Sequence, residues 1–386
     1  MAVPKVLDML ATLIGEPSVS CTNAALDQSN LGVINHLANW LDELGFATEV
    51  MPLPDKPGKA NLIARLGGGQ GGLVLAGHTD TVPFDDTRWS HDPFEMTERD
   101  GRFYGLGSCD MKGFFPLAIA AAAQFVDKPL QSPLTVVATS DEESSMAGAR
   151  YLAECGRLQA DYAIIGEPTR AIPVYAHKGF MTLCITLQGA SGHSSNPDLG
   201  RNALDAMHSV MSELLTYRSQ LAQQYVNVAF DVSVPTMNLG CLRAGDNPNR
   251  ICADAELQID LRLLPGMDSD EVLDELRIRL RRVAESQGTP IDITALSTPV
   301  PPFETPVDCS LVRTLEELSG HSAGTVAFGT EGPFLQQLGM ETVVFGPGDI
   351  DQAHQPDEYL SADQLQPTID TLSQVIARYC LDSRAT

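Results

Sequence analysis

Apolar positions along this chain fall into two alternating rhythms. Val33, Ile34, Leu37, Leu41 and Leu44 recur at helical spacing, and Gly45 is placed to end that helix. Short apolar runs at about 47–51, 61–66 and 73–77 then read as strands. Two more runs lead straight into polar turns: Leu134 to Thr139 into Ser140-Asp141-Glu142-Glu143, and Tyr162 to Gly166 into Glu167-Pro168-Thr169. A helix rich in small residues, Gly113 to Val126, lies before them, and its alanines allow close packing on a sheet. Helices alternating with buried strands predict an α/β fold, a mixed-sheet α/β/α sandwich.

From Phe180 to about Leu296 the texture changes. A strand is followed by a long helix (Asn202 to about Tyr225), strands around 228–234, 236–242 and 251–263, a helix (Asp268 to Gln287) and the strand Ile291 to Ala295. This β-α-β-β-β-α-β order predicts a smaller α+β domain with its own core. Pro299-Val300-Pro301-Pro302 reads as a linker, after which alternation resumes through Thr325-Val326-Ala327 and Thr342-Val343-Val344-Phe345. The expected organisation is a larger domain of residues 1–179 and 297–386, with residues 180–296 inserted into it as a smaller one.

Composition narrows the function classes. The 386 residues can bury a sizeable core, and 43% of them are hydrophobic. Asp and Glu outnumber Lys and Arg by 50 to 25, a formal charge of −25 that repels nucleic-acid phosphates and anionic membrane surfaces. No apolar run approaches the roughly 20 residues of a membrane span. The eight cysteines form no Cys-x-x-Cys pair, and the amino terminus begins an amphipathic helix instead of a signal peptide. A reduced, cytoplasmic protein is expected.

Candidate chemistry lies where strands end. Gly77-His78-Thr79-Asp80 follows the run Leu73 to Ala76, which puts His78 and Asp80 at a strand's carboxyl end, where open α/β sheets build their sites. Asp110, Glu142, Glu143, Glu167 and His354 also sit at strand ends or in Gly/Pro-rich turns. Two imidazoles and several carboxylates without cysteine suit zinc, cobalt or manganese. Each also has a plainer reading. Asp110 could cap the following helix, Glu142 and Glu143 could be the acidic first turn before the helix at Ala147, Glu167 could be an ordinary loop acid, and His354 an exposed loop histidine. These unrelated explanations, covering five residues, would have to coincide at strand-end turns, which favours a metal site.

These residues resemble the two-metal deacylase and carboxypeptidase family that includes aminoacylases, glutamate carboxypeptidases and desuccinylases. The resemblance is carried by Gly77 to Pro83, Gly105-Leu106-Gly107 with Asp110-Met111-Lys112-Gly113, Asp141-Glu142-Glu143, Gly166-Glu167-Pro168-Thr169, Ala176-His177-Lys178-Gly179, Gly192-His193-Ser194-Ser195 and His354 to Tyr359, in family order. It implies two divalent ions, Zn²⁺ foremost with Co²⁺ or Mn²⁺ as alternatives. His78, Asp110 and Glu167 would hold one and Asp110, Glu143 and His354 the other, with Asp110 as the bridge. Asp80 would hydrogen-bond the second nitrogen of His78, and Glu142 would act as general base.

The same resemblance implies that His193 stabilises the tetrahedral oxyanion, often across a homodimer formed by the inserted domain; alone, it reads as a turn histidine. Asn249 and Arg250 look like a carboxylate-binding pair, with Lys178 as a possible assistant or merely a solvated lysine. Glu331, in the glycine-rich turn Gly329 to Gly332, either reads a substrate ammonium or is a helix-start acid. The implied reaction is hydrolysis of a small N-acyl amino acid, N²-acetyl-L-ornithine in arginine biosynthesis, with succinyl-diaminopimelate or another N-acyl amino acid as rival substrate. A non-catalytic binding protein on the same fold is the alternative of a different class.

Overall fold

A computed structural model describes residues 3–381. Contacts divide the chain into two units. The larger holds the chain through Tyr175, Thr305–Gly324 and the chain from Thr330 on; the smaller holds Ala176–Glu304 and Thr325–Gly329. Helices and strands are labelled in chain order.

The larger unit opens with α1 (Val6–Ile14) and α2 (Leu31–Glu43), followed by β1 (Ala47–Pro52), β2 (Ala60–Leu66) and β3 (Leu73–His78). Gly45 adopts φ +86°, the left-handed turn beyond α2 that a side chain would disfavour. β4 (Thr97–Arg99) and β5 (Arg102–Tyr104) form a small ribbon, and α3 (Phe114–Ala122) continues into a short 3₁₀ turn ending at Phe125. Then come β6 (Leu134–Thr139), α4 (Glu142–Ser145), α5 (Ala147–Cys155) and β7 (Tyr162–Ile165). β8 (Val174–His177) crosses the division between units.

In the smaller unit β9 (Gly179–Gln188), α6 (Ala203–Gln224), β10 (Thr236–Ala244), β11 (Asp254–Leu263), α7 (Ser269–Ser286) and β12 (Ile291–Ala295) follow, ending with the two-residue β13 (Phe303–Glu304). The remainder is α8 (Ser310–Ser319), β14 (Gly324–Val326), α9 (Gly332–Gln337), β15 (Glu341–Val344), β16 (Tyr359–Ser361) and α10 (Leu365–Ile376).

The main sheet of the larger unit runs β1-β2-β6-β3-β7-β15. β1, β2 and β6 are antiparallel neighbours, whereas β6, β3, β7 and β15 are parallel. Every residue of β3 and β6 is buried, which explains their uninterrupted apolar sequence: helices cover both faces of these central strands. The core gathers Leu37, Leu41, Leu75, Val136, Ile164, Phe114, Ala118, Ala121, Leu315 and Leu372 from strands and helices alike. Because β3, β6 and β7 are parallel, His78 lies opposite Thr139 and Ala76 opposite Ile165, so the loops that follow all three leave the same edge.

The smaller unit is an antiparallel sheet of order β10-β11-β9-β12. Alternate residues of β11 are buried, the signature of a sheet covered on one face, and α6 and α7 pack with it and with each other. Asn202 caps α6 through the amides of Leu204 and Asp205, and Asp268 caps α7 through those of Asp270 and Glu271.

The strand expected around 228–234 is absent, so the order is β-α-β-β-α-β. The segment instead closes as a loop, with the Asn227 amide donating to the Ser233 carbonyl and the Asn227 side chain accepting from Ala229. Asn, Asp and Ser prefer such local bonds, and Val228 stands 90% exposed. The units also divide outside residues 180–296. Ala176 and His177 pair with Glu304 and Phe303, which draws both flanks into the smaller unit. All eight cysteines carry free thiols. Among the described residues no helix is long and apolar enough to cross a membrane.

Gly166 closes β7 against α3 so tightly that a Cβ there would lie 2.1 Å from the Phe114 ring. Gly166→Ala should therefore destabilise the larger unit by about 1–3 kcal/mol through overpacking, read as a lower midpoint in denaturant unfolding. An unchanged midpoint would show that the ring moves away freely.

Candidate metal centre

His78 is the last residue of β3, and its Nδ1 donates to the backbone carbonyl of Asp80 at 3.0 Å, which fixes the ring and turns Nε2 outward. That Nε2 lies 3.1 Å from Asp110 Oδ1 and 3.9 Å from Glu167 Oε1. The other oxygen of Asp110, Oδ2, lies 3.5 Å from Nε2 of His354, which is also 3.1 Å from Glu143 Oε1. Asp110 thus presents one oxygen to each histidine.

Two sets of possible ligand atoms follow, His78-Asp110-Glu167 and Asp110-Glu143-His354, each with all its atoms within 4.8 Å of one another. A third set, His78-Glu142-Glu143, meets the same limit. Asp110 does not cap α3: the residue at that helix start is Gly113, without a side-chain cap bond. His354 is 53% exposed at its side chain and sits at φ +60°, on a loop that brings it to buried Asp110.

The electrostatics describe a place short of positive charge. Burial alone would lower the His78 imidazole, yet the bond to Asp110 and the charges of Glu167, Glu142 and Asp80 raise it well above the ordinary histidine value. The bond to Glu143 raises His354 to about 9. Burial, then the charge of Asp110, raises Glu167 well above the usual carboxylate range; burial, reinforced by Glu167, Glu143 and Glu331, does the same to Glu142. Packing carboxylates out of water costs free energy unless cations join them. The nitrogen and oxygen donors, arranged as two sets about a shared Asp110, fit two divalent ions.

Asp80 is placed differently from the expectation. Its carboxylate lies 3.8 Å from His78 Nδ1, which takes the Asp80 carbonyl instead, and accepts the backbone N–H groups of Glu142 at 3.2 Å and Glu143 at 3.1 Å. Asp80 follows His78 closely enough for its own carbonyl to cap the ring, which frees the carboxylate to hold the first turn of α4. Burial raises this carboxyl to about 6.

A second clamp on α4 went unread in the sequence. Asp141, at φ +57° and buried, accepts Lys59 Nζ at 2.8 Å, Lys56 Nζ and Ser20 Oγ. Lys56 also donates to Ser145 Oγ at 2.9 Å, and Ser20 Oγ lies 2.6 Å from Ser144 Oγ. A helix of four residues cannot hold itself, and these bonds hold it from outside. Lys56 and Lys59 occupy the Pro/Gly-rich turn between β1 and β2, and the one signal of the clamp in the sequence is the adjacency of Asp141 to Glu142.

Within the smaller unit, His193 pairs with Arg250 as an antiparallel bridge, and the Ser194 amide donates to the Asn249 carbonyl. The structure therefore brings His193, Asn249 and Arg250 together, all exposed. His193 Nδ1 lies 2.7 Å from Ser195 Oγ, and Arg250 pairs with Asp246 at 2.7 Å. Lys178 is neither solvated nor free. It is buried, and its ammonium donates to the carbonyls of Val232 and Val234 at 2.7 and 2.9 Å, tying down the loop that replaced the expected strand. Glu331, in the larger unit, is 1% exposed and stands at the start of α9 without capping it; its Oε1 has no protein partner. Burial pushes its carboxyl up to about 7 against a bond to the Thr139 side chain.

Comparison with known proteins identifies the family. The model of Peptidase family M20/M25/M40 matches residues 74–378. The chain is similar to an acetylornithine deacetylase of Proteus mirabilis, 47% identical with 99% of each chain covered, and to one of Klebsiella pneumoniae, 48% identical with 98% of each covered. Among solved structures it resembles a tripeptidase from Staphylococcus aureus, with TM-score 0.74 at 18% identity over 97% of this chain and 98% of the other. It also resembles a dinuclear metal binding peptidase from the M20 family of Bacillus subtilis, with TM-score 0.66 at 16% identity over 96% of each chain. The match across most of its length and the near full-length identity to these relatives establish that the chain belongs to peptidase family M20/M25/M40.

Proposed function

We propose that this chain hydrolyses the acetyl amide of N²-acetyl-L-ornithine, releasing acetate and L-ornithine. The substrate follows from the relatives of nearly half-identical sequence that bear that activity in their names. The observation that carries the chemistry is the division of Asp110 between His78 and His354, which suits two ions sharing one carboxylate.

His78, Asp110 and Glu167 would hold one ion and Asp110, Glu143 and His354 the other, with zinc favoured by the mixed imidazole and carboxylate donors. When bound, such ions polarise a carbonyl oxygen and lower the pKa of water. Glu142 is the proposed general base. It adjoins Glu143 on α4, it stands outside the two sets that share Asp110, and its raised proton affinity suits a group that takes a proton from water and delivers it to the departing ornithine amine. Asp80 orients that base by holding the amides of Glu142 and Glu143.

His193 is the proposed donor to the developing oxyanion, and Arg250 with Asn249 the proposed recognition pair for the α-carboxylate. Arg250 would exchange Asp246 for the substrate carboxylate, both being exposed partners that part at little cost. Glu331 offers an unpartnered buried oxygen to the side-chain ammonium.

Acetate release from acetylornithine, compared with acetylmethionine and succinyl-diaminopimelate at saturating Zn²⁺, tests the substrate; a preference for the succinyl compound would overturn it. Glu142→Ala should lose about 10²-fold or more in kcat while retaining its metal content, whereas loss of metal would exchange the roles of Glu142 and Glu143. Glu331→Gln should lower kcat/KM for acetylornithine relative to acetylmethionine by about tenfold for each ~1.4 kcal/mol of lost pairing. Equal losses would assign Glu331 to the framework.

The reading includes a homodimer formed through the smaller unit, with His193 serving the partner's site. After demonstrated subunit exchange, mixed His193→Ala and Glu142→Ala subunits should regain part of the activity. No recovery would place His193 in the service of its own subunit.

A further inference from the structure

β16 pairs antiparallel with β5, Tyr359 opposite Tyr104, so the residue before β16 meets the residue after β5. That residue is Glu358, and it binds the loop leading to Asp110 at five points. Its carbonyl accepts the Gly105 amide at 3.0 Å and the Ser108 hydroxyl at 3.3 Å. Its carboxylate accepts three more amides: Cys109 at 2.7 Å and Asp110 at 2.9 Å on Oε1, and Gly107 at 3.1 Å on Oε2.

Glu358 is 1% exposed, so these amides replace water as its hydrogen-bond donors. The ammonium of Lys112 is buried with it. It donates to the Glu16 carbonyl at 3.0 Å and lies in the field of Glu358. Gly107 allows this packing, since a Cβ there would come within 2.5 Å of the Lys112 stem. The other side of the loop is also anchored: Asp357, at φ +58°, accepts the amide and hydroxyl of Ser90 at 2.8 and 2.7 Å.

We propose that Glu358 is a positioning residue for Asp110: by fixing the backbone from Gly107 to Asp110, it fixes the direction in which that carboxylate divides its oxygens between the two histidines. Because it follows His354 by four positions, it also ties the loop of one proposed ligand to the loop of another. A carboxylate shared by two ions has little latitude, as each oxygen serves a different partner. Groups that orient metal ligands in this way are worth about 10- to 100-fold in metal affinity. The inference rests on the proposed ligand role of Asp110.

The test is Zn²⁺ affinity of the full chain, stripped with a chelator and titrated against a fluorescent zinc chelator, with the thermal midpoint of the metal-free form measured alongside. Glu358→Gln keeps the size of the side chain but turns one acceptor toward the amides into a donor. It should weaken Zn²⁺ binding by about 10- to 100-fold. Glu358→Asp keeps the charge one methylene short, and it carries the test if the glutamine variant does not fold; its binding should weaken by more than about threefold. Folded variants that bind Zn²⁺ within twofold of wild type, with only a lower metal-free midpoint, would overturn the proposal and leave Glu358 a scaffold residue. Asp110→Asn separates the two readings. If it binds both ions as tightly as wild type, the ligand role of Asp110 fails, whatever the Glu358 variants do.

Discussion

The constraint on which the larger unit depends is the cost of gathering carboxylates at one buried edge. Buried Asp80, Asp110 and Glu167 and the partly buried Glu142 and Glu143 gather about buried His78 and the exposed His354. Burial pushes several of these acids upward in proton affinity, and their mutual repulsion adds to it. Such a cluster costs less with cations beside it, and the division of Asp110 between two histidines suits the proposed pair of ions. The parallel strands β3, β6 and β7 make the gathering possible, because parallel neighbours deliver their following loops to the same edge.

Holding those acids in place falls to carboxylates that are not proposed metal ligands. The first turn of α4 is pinned by Asp80 through two amides, and by Asp141 through two lysines and a serine. The loop of Asp110 is pinned by Glu358 through three amides. In each case a buried carboxylate accepts backbone N–H groups or ammonium groups, so the site is supported by acids as well as lined by them. Charge-assisted bonds of this kind are the stronger ones in a protein, and here they fix a four-residue helix and a loop.

The smaller unit follows a different logic. A one-sided antiparallel sheet under two amphipathic helices presents His193 and Arg250 side by side on paired loops, both exposed and bonded only locally. Side chains in that condition can change partners at small cost, which suits recognition of a ligand. Lys178 shows the opposite. Its ammonium is taken up by two carbonyls of the 227–235 loop, so a lysine beside a recognised motif serves the architecture.

Much of this was legible in the sequence because its signals are local. Apolar runs ending in Gly77-His78, Ser140-Asp141-Glu142-Glu143 and Gly166-Glu167 mark buried parallel strands and the acids beyond them, and donor type alone selects imidazole and carboxylate over thiolate. Helix ends at Gly45, Asn202 and Asp268 were likewise written in capping residues. What the tertiary structure decided is where groups far apart in the chain meet. Lys56 and Lys59 reach Asp141 across more than 80 positions, and Glu358 reaches Cys109 across 249. Asp80 turned its carboxylate to α4 because its own carbonyl already satisfied His78, a competition between two acceptors on one residue that no spacing rule resolves. The loop at 227–235 is held by Lys178, whose bonds to two carbonyls join residues 54 and 56 positions apart in the chain. Periodicity records which face of an element is buried. It does not record which buried donor finds which acceptor, since that depends on distances set by the whole fold.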